Sequence, residues 1–419
     1  MKPANRSIFI IGTLYFVFGF VTWLSSILIP YLKIACELST QASYLAASAF
    51  YISYVVMAMP SASVLKFTGY KKGMSLGLFI MAVGAAIFIP AAIYRLYSLF
   101  LTGLFVLGTG MTILQTAANP YVTILGPIEN AAKRMSMMGI CNAIASIIGP
   151  LLLGATLLEN ADDIKMQADK ASGLQKAEIL NNLSHRVILP YSIIVAVLIV
   201  IAILIFFSSI PDMEDYTEDE SSSVAHNNKT SIFQFPHLLI GVFALFLYVG
   251  VEVIAGDTIV SYGSSQGISL SNAKFFAGCT QFCMLVGYFI GIAVMPKYIS
   301  QQKLLTLSPL LGLIFVFLAL VTKGLVSVAF IALLGIANSA VWPAIWPLAI
   351  NGLGKFTKIG SSFLIIAIGG GAILPLLYGR LAEAFSPQHA YWLVVPCYIF
   401  IWYYAQSGHK VGLELKDNK

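Results

Sequence analysis

Twelve apolar runs, each about long enough to cross a lipid bilayer, recur along this 419-residue chain. They lie at about 7–32, 41–65, 74–94, 98–125, 135–158 and 188–210, then 234–260, 271–295, 303–322, 325–351, 359–383 and 389–406. A bilayer core takes roughly 20 apolar residues of helix, and backbone polar groups inside it must be bonded within the segment. The pattern therefore predicts an all-α membrane protein with twelve transmembrane helices, numbered here as spans 1–12. Charge agrees: Asp, Glu, Lys and Arg make up 10% of the chain, against about 25% in soluble domains.

Two longer polar segments interrupt the runs, at 159–187 and 211–232. The second holds Asp212, Glu214, Asp215, Glu218, Asp219 and Glu220 with a run of serines, a composition that stays solvated. It divides the spans into an N-terminal six-helix half (1–210) and a C-terminal six-helix half (233–419), with 211–232 as the linker. Orientation follows the positive-inside rule. With both termini in the cytoplasm, that side collects most of the Lys and Arg, including Lys66, Lys71, Lys72, Lys133, Arg134, Lys297, Lys303, Lys355 and Lys358. The first apolar run continues from Ile8 to Pro30, too long for a cleaved signal, so it is expected to be retained. A multi-pass protein of a bacterial inner membrane is expected, with the linker cytoplasmic.

Several function classes fall away. The net charge of +6 is spread singly between apolar blocks, without the basic face that nucleic acid requires. The five cysteines have no metal-ligand spacing with histidine, so no metal and no cofactor is expected. An enzyme would need a nucleophile–base or metal constellation, and the histidines are confined to loops and span ends.

Polar residues inside the spans carry the functional reading. Of eighteen carboxylates, only Glu252 and Asp257 interrupt an apolar run, in span 7. A charge at the bilayer centre costs on the order of 2.5–3.5 kcal/mol on insertion scales, so an intramembrane acid points to function. The flanking Gly250 and Gly256 suggest local unwinding of that helix, as where transporters hold cations. A carboxylate there suits sodium, if unwound carbonyls add ligands, or a proton. A second group suits sugar hydroxyls and ring faces, because amides both donate and accept and aromatic faces cover apolar ring surface. It comprises Trp23 in span 1, Gln115 and Asn119 in span 4, Asn142 in span 5, Gln281 in span 8, and Asn338, Trp342 and Trp346 in span 10. Helix-packing and lipid-interface roles are the competing reading for each.

Three stretches carry a family likeness. Gln115-Thr-Ala-Ala-Asn-Pro-Tyr-Val-Thr-Ile-Leu-Gly-Pro127 resembles the span 4 signature of the fucose:proton symporter and glucose/galactose transporter family of the major facilitator superfamily. Leu24-Ser-Ser-Ile-Leu-Ile-Pro30 is similar to that family's span 1 segment, and Tyr248-Val-Gly-Val-Glu252 resembles the glucose/galactose branch in span 7. The resemblance implies the major facilitator fold, with substrate bound between the halves. It also marks departures. The fucose branch has an aspartate where this chain has Ser26 and a glutamate where it has Gln115. A span 5 glutamine of that branch corresponds to Gly139, while its asparagine is matched by Asn142. The superfamily's loop motif is degenerate here, reading Ala62-Ser-Val-Leu-Lys66-Phe-Thr-Gly69-Tyr-Lys71.

The sequence thus leads to an expectation of a monomeric symporter that imports a hexose such as glucose, galactose or fucose with Na+ or H+. The alternative is an uncoupled facilitator or exporter of another small polar solute. Sliding the chain by about 226 residues lays span 7 on span 1, which sets Glu252 opposite Ser25 and Ser26. The coupling carboxylate is therefore expected in span 7, with Asp257 assisting and Ser25 and Ser26 marking the vacated stretch.

Overall fold

A computed structural model describes residues 3–124, 131–208, 230–294, 298–353 and 356–412. The described residues form α-helices and short 3-10 turns, with no strand among them. Ten of the described helical stretches are long and apolar enough to cross a membrane. Joining and shortening account for the difference from twelve. Spans 2 and 3 share one helical run, Leu45–Tyr94, which turns at Gly69 with φ 74°. Only glycine adopts that conformation without a steric cost, and residues 66–73, expected as a loop, stay helical on either side of it. Span 12 is shortened to Val394–Gln406, entered through the 3-10 turn His389–Leu393.

Two further expectations change. The 159–187 segment is a pair of helices, Ala161–Lys170 and Gly173–His185. It docks because buried polar groups meet it: the Tyr31 hydroxyl donates to the Ser184 carbonyl at 2.8 Å, and Ser184 Oγ donates to the Ala92 carbonyl at 2.9 Å. Span 7 does not unwind at its glycines; Pro236–Asp257 is one continuous helix. Gly250 and Gly256 serve close packing instead, against Leu374 of span 11 and the Trp23 ring of span 1. Most of the 211–232 linker lies outside the described residues.

The helices pack in two sets. In the first, span 1 (Pro3–Thr22 and Ser25–Ala35) lies on span 5 (Ala131–Leu157), and Leu45–Tyr94 lies on span 4 (Tyr97–Ile124) and span 6 (Ile188–Phe206). In the second, span 10 (Gly324–Ser339 and Val341–Ile350) packs on spans 8 and 9, and span 7 packs on spans 11 and 12. The sets meet chiefly where span 5 crosses span 8 and span 2 crosses span 11.

Their contacts close one face of the molecule, the face carrying 33–44, 159–187 and 258–270. Ser48 Oγ donates to the Ala372 carbonyl at 2.6 Å, and the Tyr44 and Tyr378 rings meet edge-on at 5.7 Å. Two carboxylates then cap short helices across the divide. Gln41 N donates to Glu383 Oε1 at 2.6 Å, at the start of Thr40–Ser43, which leads into span 2. Ser271 N donates to Asp162 Oδ2 at 3.0 Å, at the start of Leu270–Ala273, which leads into span 8. Each set thus extends one acid to satisfy an orphan backbone donor of the other.

Candidate functional site

Between the two sets lies a cavity of about 190 Å³. The first set contributes Tyr15 and Trp23 from span 1, Tyr51 and Tyr54 from span 2, Gln115 and Asn119 from span 4, and Gly139 and Asn142 from span 5. The second contributes Tyr248 and Glu252 from span 7, Tyr288 from span 8 and Trp342 from span 10. Spans 1 and 10 are both interrupted, at Trp23–Leu24 and at Ala340, so that Trp23 and Trp342 sit beside breaks in their helices.

One wall is organised by hydrogen bonds. The Tyr15 hydroxyl donates to Asn119 Oδ1 at 2.6 Å, which fixes the amide and leaves its two N–H donors unused by that bond. Gln115 Nε2 donates to the Tyr54 hydroxyl at 3.1 Å, leaving the Gln115 carbonyl as an acceptor. Across the cavity, Glu252 shares its wall with the phenols of Tyr248, Tyr51 and Tyr288. Trp342 extends this aromatic wall, with its ring 5.4 Å from Trp346 and 6.5 Å from Tyr248. Amide donors and acceptors face one acid across a belt of rings. Such a site can orient a small polyhydroxylated solute and hold one positive charge.

The sequence-predicted residues divide accordingly. Asn142, Gln115, Asn119, Trp23, Trp342 and Glu252 come together in the cavity wall. Trp346 does not line it but backs Trp342. Gln281 is buried outside it, where Ser146 Oγ donates to Gln281 Oε1 at 3.3 Å and ties span 5 to span 8. Asn338 accepts a 2.8 Å hydrogen bond from the Tyr398 hydroxyl and joins span 10 to span 12. Ser25 and Ser26 are buried, and Ser26 Oγ donates to the Trp23 carbonyl at 2.8 Å at the span 1 interruption. Asp257 is fully buried outside the cavity lining.

The tyrosines were missed by sequence reasoning. Tyr15, Tyr51, Tyr54, Tyr248 and Tyr288 supply most of the ring surface, and twenty tyrosines scattered through apolar runs gave no means of choosing among them. One signal was available. Gly139 stands where the fucose branch has a glutamine, and the Tyr288 ring reaches to 3.6 Å from the point where a side chain at 139 would begin.

A polar, aromatic-walled chamber between two sets of membrane helices, closed on one face and holding one acid, defines a solute transporter. The family model of the Major Facilitator Superfamily matches residues 11–368. A glucose/galactose transporter of Brucella abortus biovar 1 (strain 9-941) is 36% identical over 400 residues, covering 95% of this chain and 92% of that protein. An L-fucose-proton symporter of Escherichia coli (strain K12) is 30% identical over 376 residues, covering 89% of this chain and 86% of that protein. A crystal structure of the Major Facilitator Superfamily transporter FucP in the outward conformation superposes with a TM-score of 0.73 at 29% identity, covering 95% of this chain and 97% of that one. The chain belongs to the Major Facilitator Superfamily, and within it to the family that holds the glucose/galactose transporters and L-fucose-proton symporters.

Proposed function

We propose that this protein imports a hexose or a closely related sugar together with Na+ or H+, by alternating access. The observation that carries the reading is the placement of Glu252 in the same small cavity as the amides of Gln115, Asn119 and Asn142. Sugar hydroxyls pair with the amides and the apolar ring face lies on Trp23 or Trp342. Glu252 holds the coupling cation within reach of the same chamber. Relatives named for glucose/galactose transport and for L-fucose–proton symport support the substrate class and the coupling.

The two halves, 1–210 and 233–419, rock about the cavity, and 211–232 links them on the cytoplasmic side of a bacterial inner membrane. With both termini cytoplasmic, the face closed by Glu383 and Asp162 is the outer one, and the conformation described is inward-facing.

Purified protein in liposomes, offered a panel of hexoses under sodium and pH gradients varied independently, tests the whole reading. Accumulation of one sugar above its external concentration, driven by one of the two gradients, is the expected result. Counterflow with no accumulation under either gradient would leave an uncoupled carrier in its place. Within the site, Asn142→Ala is expected to raise the apparent Kd for the sugar. A buried partner left unsatisfied costs about 1–3 kcal/mol, or roughly 5–150-fold. Unchanged affinity in a normally folded variant would make Asn142 a packing residue.

A further inference from the structure

Asp257 ends the span 7 helix with 0% of its surface exposed, and neither of its carboxylate oxygens has a hydrogen-bond partner among the described residues. The ion pairs found among the described residues, Arg95–Glu37 and Lys176–Glu37, lie elsewhere. An ionised carboxylate removed from water without donor or counter-ion is among the costliest groups a protein can bury. A positive ion at the carboxylate removes that cost.

Its position gives the cost a consequence. The preceding residue, Gly256, packs on the Trp23 ring of the opposite half, and the following residue, Thr258, shares a 2.7 Å hydrogen bond with the Tyr391 hydroxyl. The titratable groups near it include Tyr44 and Tyr51 of the opposite half and Glu252 on its own helix. Asp257 is therefore buried by closure of the face that Ser48, Tyr44 and Gln41 seal. Glu252 lies five residues earlier, turned by about 140° around the helix, and faces the cavity. Tyr51 lies near both acids, lines the cavity, and has a buried hydroxyl without a hydrogen-bond partner among the described residues.

We propose that Asp257 is a second cation-binding carboxylate, and that the closed face forms stably only when a monovalent cation, H+ or Na+, neutralises it. The inference rests on the reading of the chain as a cation-coupled transporter and assigns a cause to its conformational cycle. When the face is open, Asp257 meets solvent and takes up the ion. Closure buries the neutralised pair. The ion then leaves past Tyr51 into the cavity, and the bare charge left behind destabilises the closed face and returns the carrier to its open state. Glu252 handles the ion beside the sugar, while Asp257 makes closure conditional on it.

The test reads the face directly and needs no sugar. Ser48→Cys, in full-length protein in which the native cysteines are replaced by serine, places a thiol at a position 7% exposed in the closed state. Its rate of reaction with a membrane-impermeant maleimide is measured in liposomes, with pH and sodium varied separately, and is divided at each pH by the rate of the same thiol in the denatured protein so that thiolate formation cancels. Withdrawing the cation is expected to raise that rate about tenfold or more. A response to pH at fixed sodium assigns the proton, and a response to sodium at fixed pH assigns sodium; either supports the inference. Asp257→Asn is expected to keep the rate low under every condition, and Asp257→Glu to restore the dependence. A rate in the parent that ignores both ions overturns the inference, as does a dependence that survives in Asp257→Asn. If the parent fails to accumulate sugar yet shows the labelling response, the coupling reading falls and the Asp257 switch stands.

Discussion

Glu252→Gln is expected to abolish accumulation of sugar against a gradient while leaving sugar exchange close to that of the parent. Glutamine keeps the length of the side chain and can still donate and accept hydrogen bonds, so the packing of Tyr51, Tyr248 and Tyr288 in the same wall is preserved. Only the charge is lost. One elementary charge moving across the membrane is worth about 2.3 kcal/mol per 100 mV, which supports roughly fifty-fold accumulation. Without a carboxylate to load, that ratio collapses to about one, and exchange, which requires no net ion movement, continues. Paired measurements of gradient-driven uptake and of exchange in the same liposomes separate the two effects. Loss of both activities would place Glu252 in sugar binding, and undiminished accumulation would remove it from coupling altogether. Asp257→Asn differs from it in a defined way, because it acts on the closed face and so changes thiol reactivity at position 48, which Glu252→Gln should leave responsive to the cation.

The fold was legible because lipid imposes a one-dimensional code. A run of apolar residues near a bilayer's length can be little other than a helix, and nothing in the tertiary structure had to be known to find it. Joins between helices were less legible. Residues 66–73 carry Lys66, Lys71 and Lys72 and read as a loop, yet one glycine in the left-handed region is enough to turn the chain there while helix persists on both sides. The 159–187 segment is polar on average, and the bonds of Ser184 to Tyr31 and Ala92 that dock it join residues far apart in the sequence.

The site divides along the same line. Glu252 stood out because a charge in an apolar run is rare, and the span 4 amides stood out through a family likeness. Gln281 and Asn338 carry the same chemistry as Asn142, yet each is spent on a helix–helix hydrogen bond. Which amides face the cavity depends on the rotation of each helix against its neighbours, and apolar spans with lipid on one side and protein on the other give little periodicity from which to read it. Tyrosine is harder still to place, since it is equally at home in a core, at a lipid interface and in a binding wall. Gly250 and Gly256 illustrate the limit: the residue type that permits unwinding also permits close approach, and here the neighbours Leu374 and Trp23 decide between them.

Gly256 yields the other large expected effect. A side chain at 256 would begin against the edge of the Trp23 ring, nearer to Cζ3 and Cε3 than a Cβ tolerates. Trp23 is itself 5% exposed and lines the cavity, so a ring that yields moves into the volume the sugar would occupy. Elsewhere in a helix, replacing glycine by alanine stabilises by roughly 1 kcal/mol, so Gly256→Ala should not weaken span 7 itself. Its cost falls on the one conformation in which spans 1 and 7 touch. Overpacking of about 1–3 kcal/mol or more would shift the balance between open and closed faces by roughly 5–150-fold, and Gly256→Val by more. Transport requires both states, so uptake is expected to fall on the order of a hundred-fold in Gly256→Val, with the sugar still bound from the open side and the thiol at position 48 reactive whatever the cation. The distinguishing measurement is the double variant. Trimming the ring with Trp23→Leu makes room for the new side chain, and closure should return, read as a slowed maleimide reaction at position 48. If the face stays open in the double variant, the contact between Trp23 and Gly256 is not what seals it, and the seal lies with the span 2 and span 11 contacts of Ser48 and Tyr44 instead.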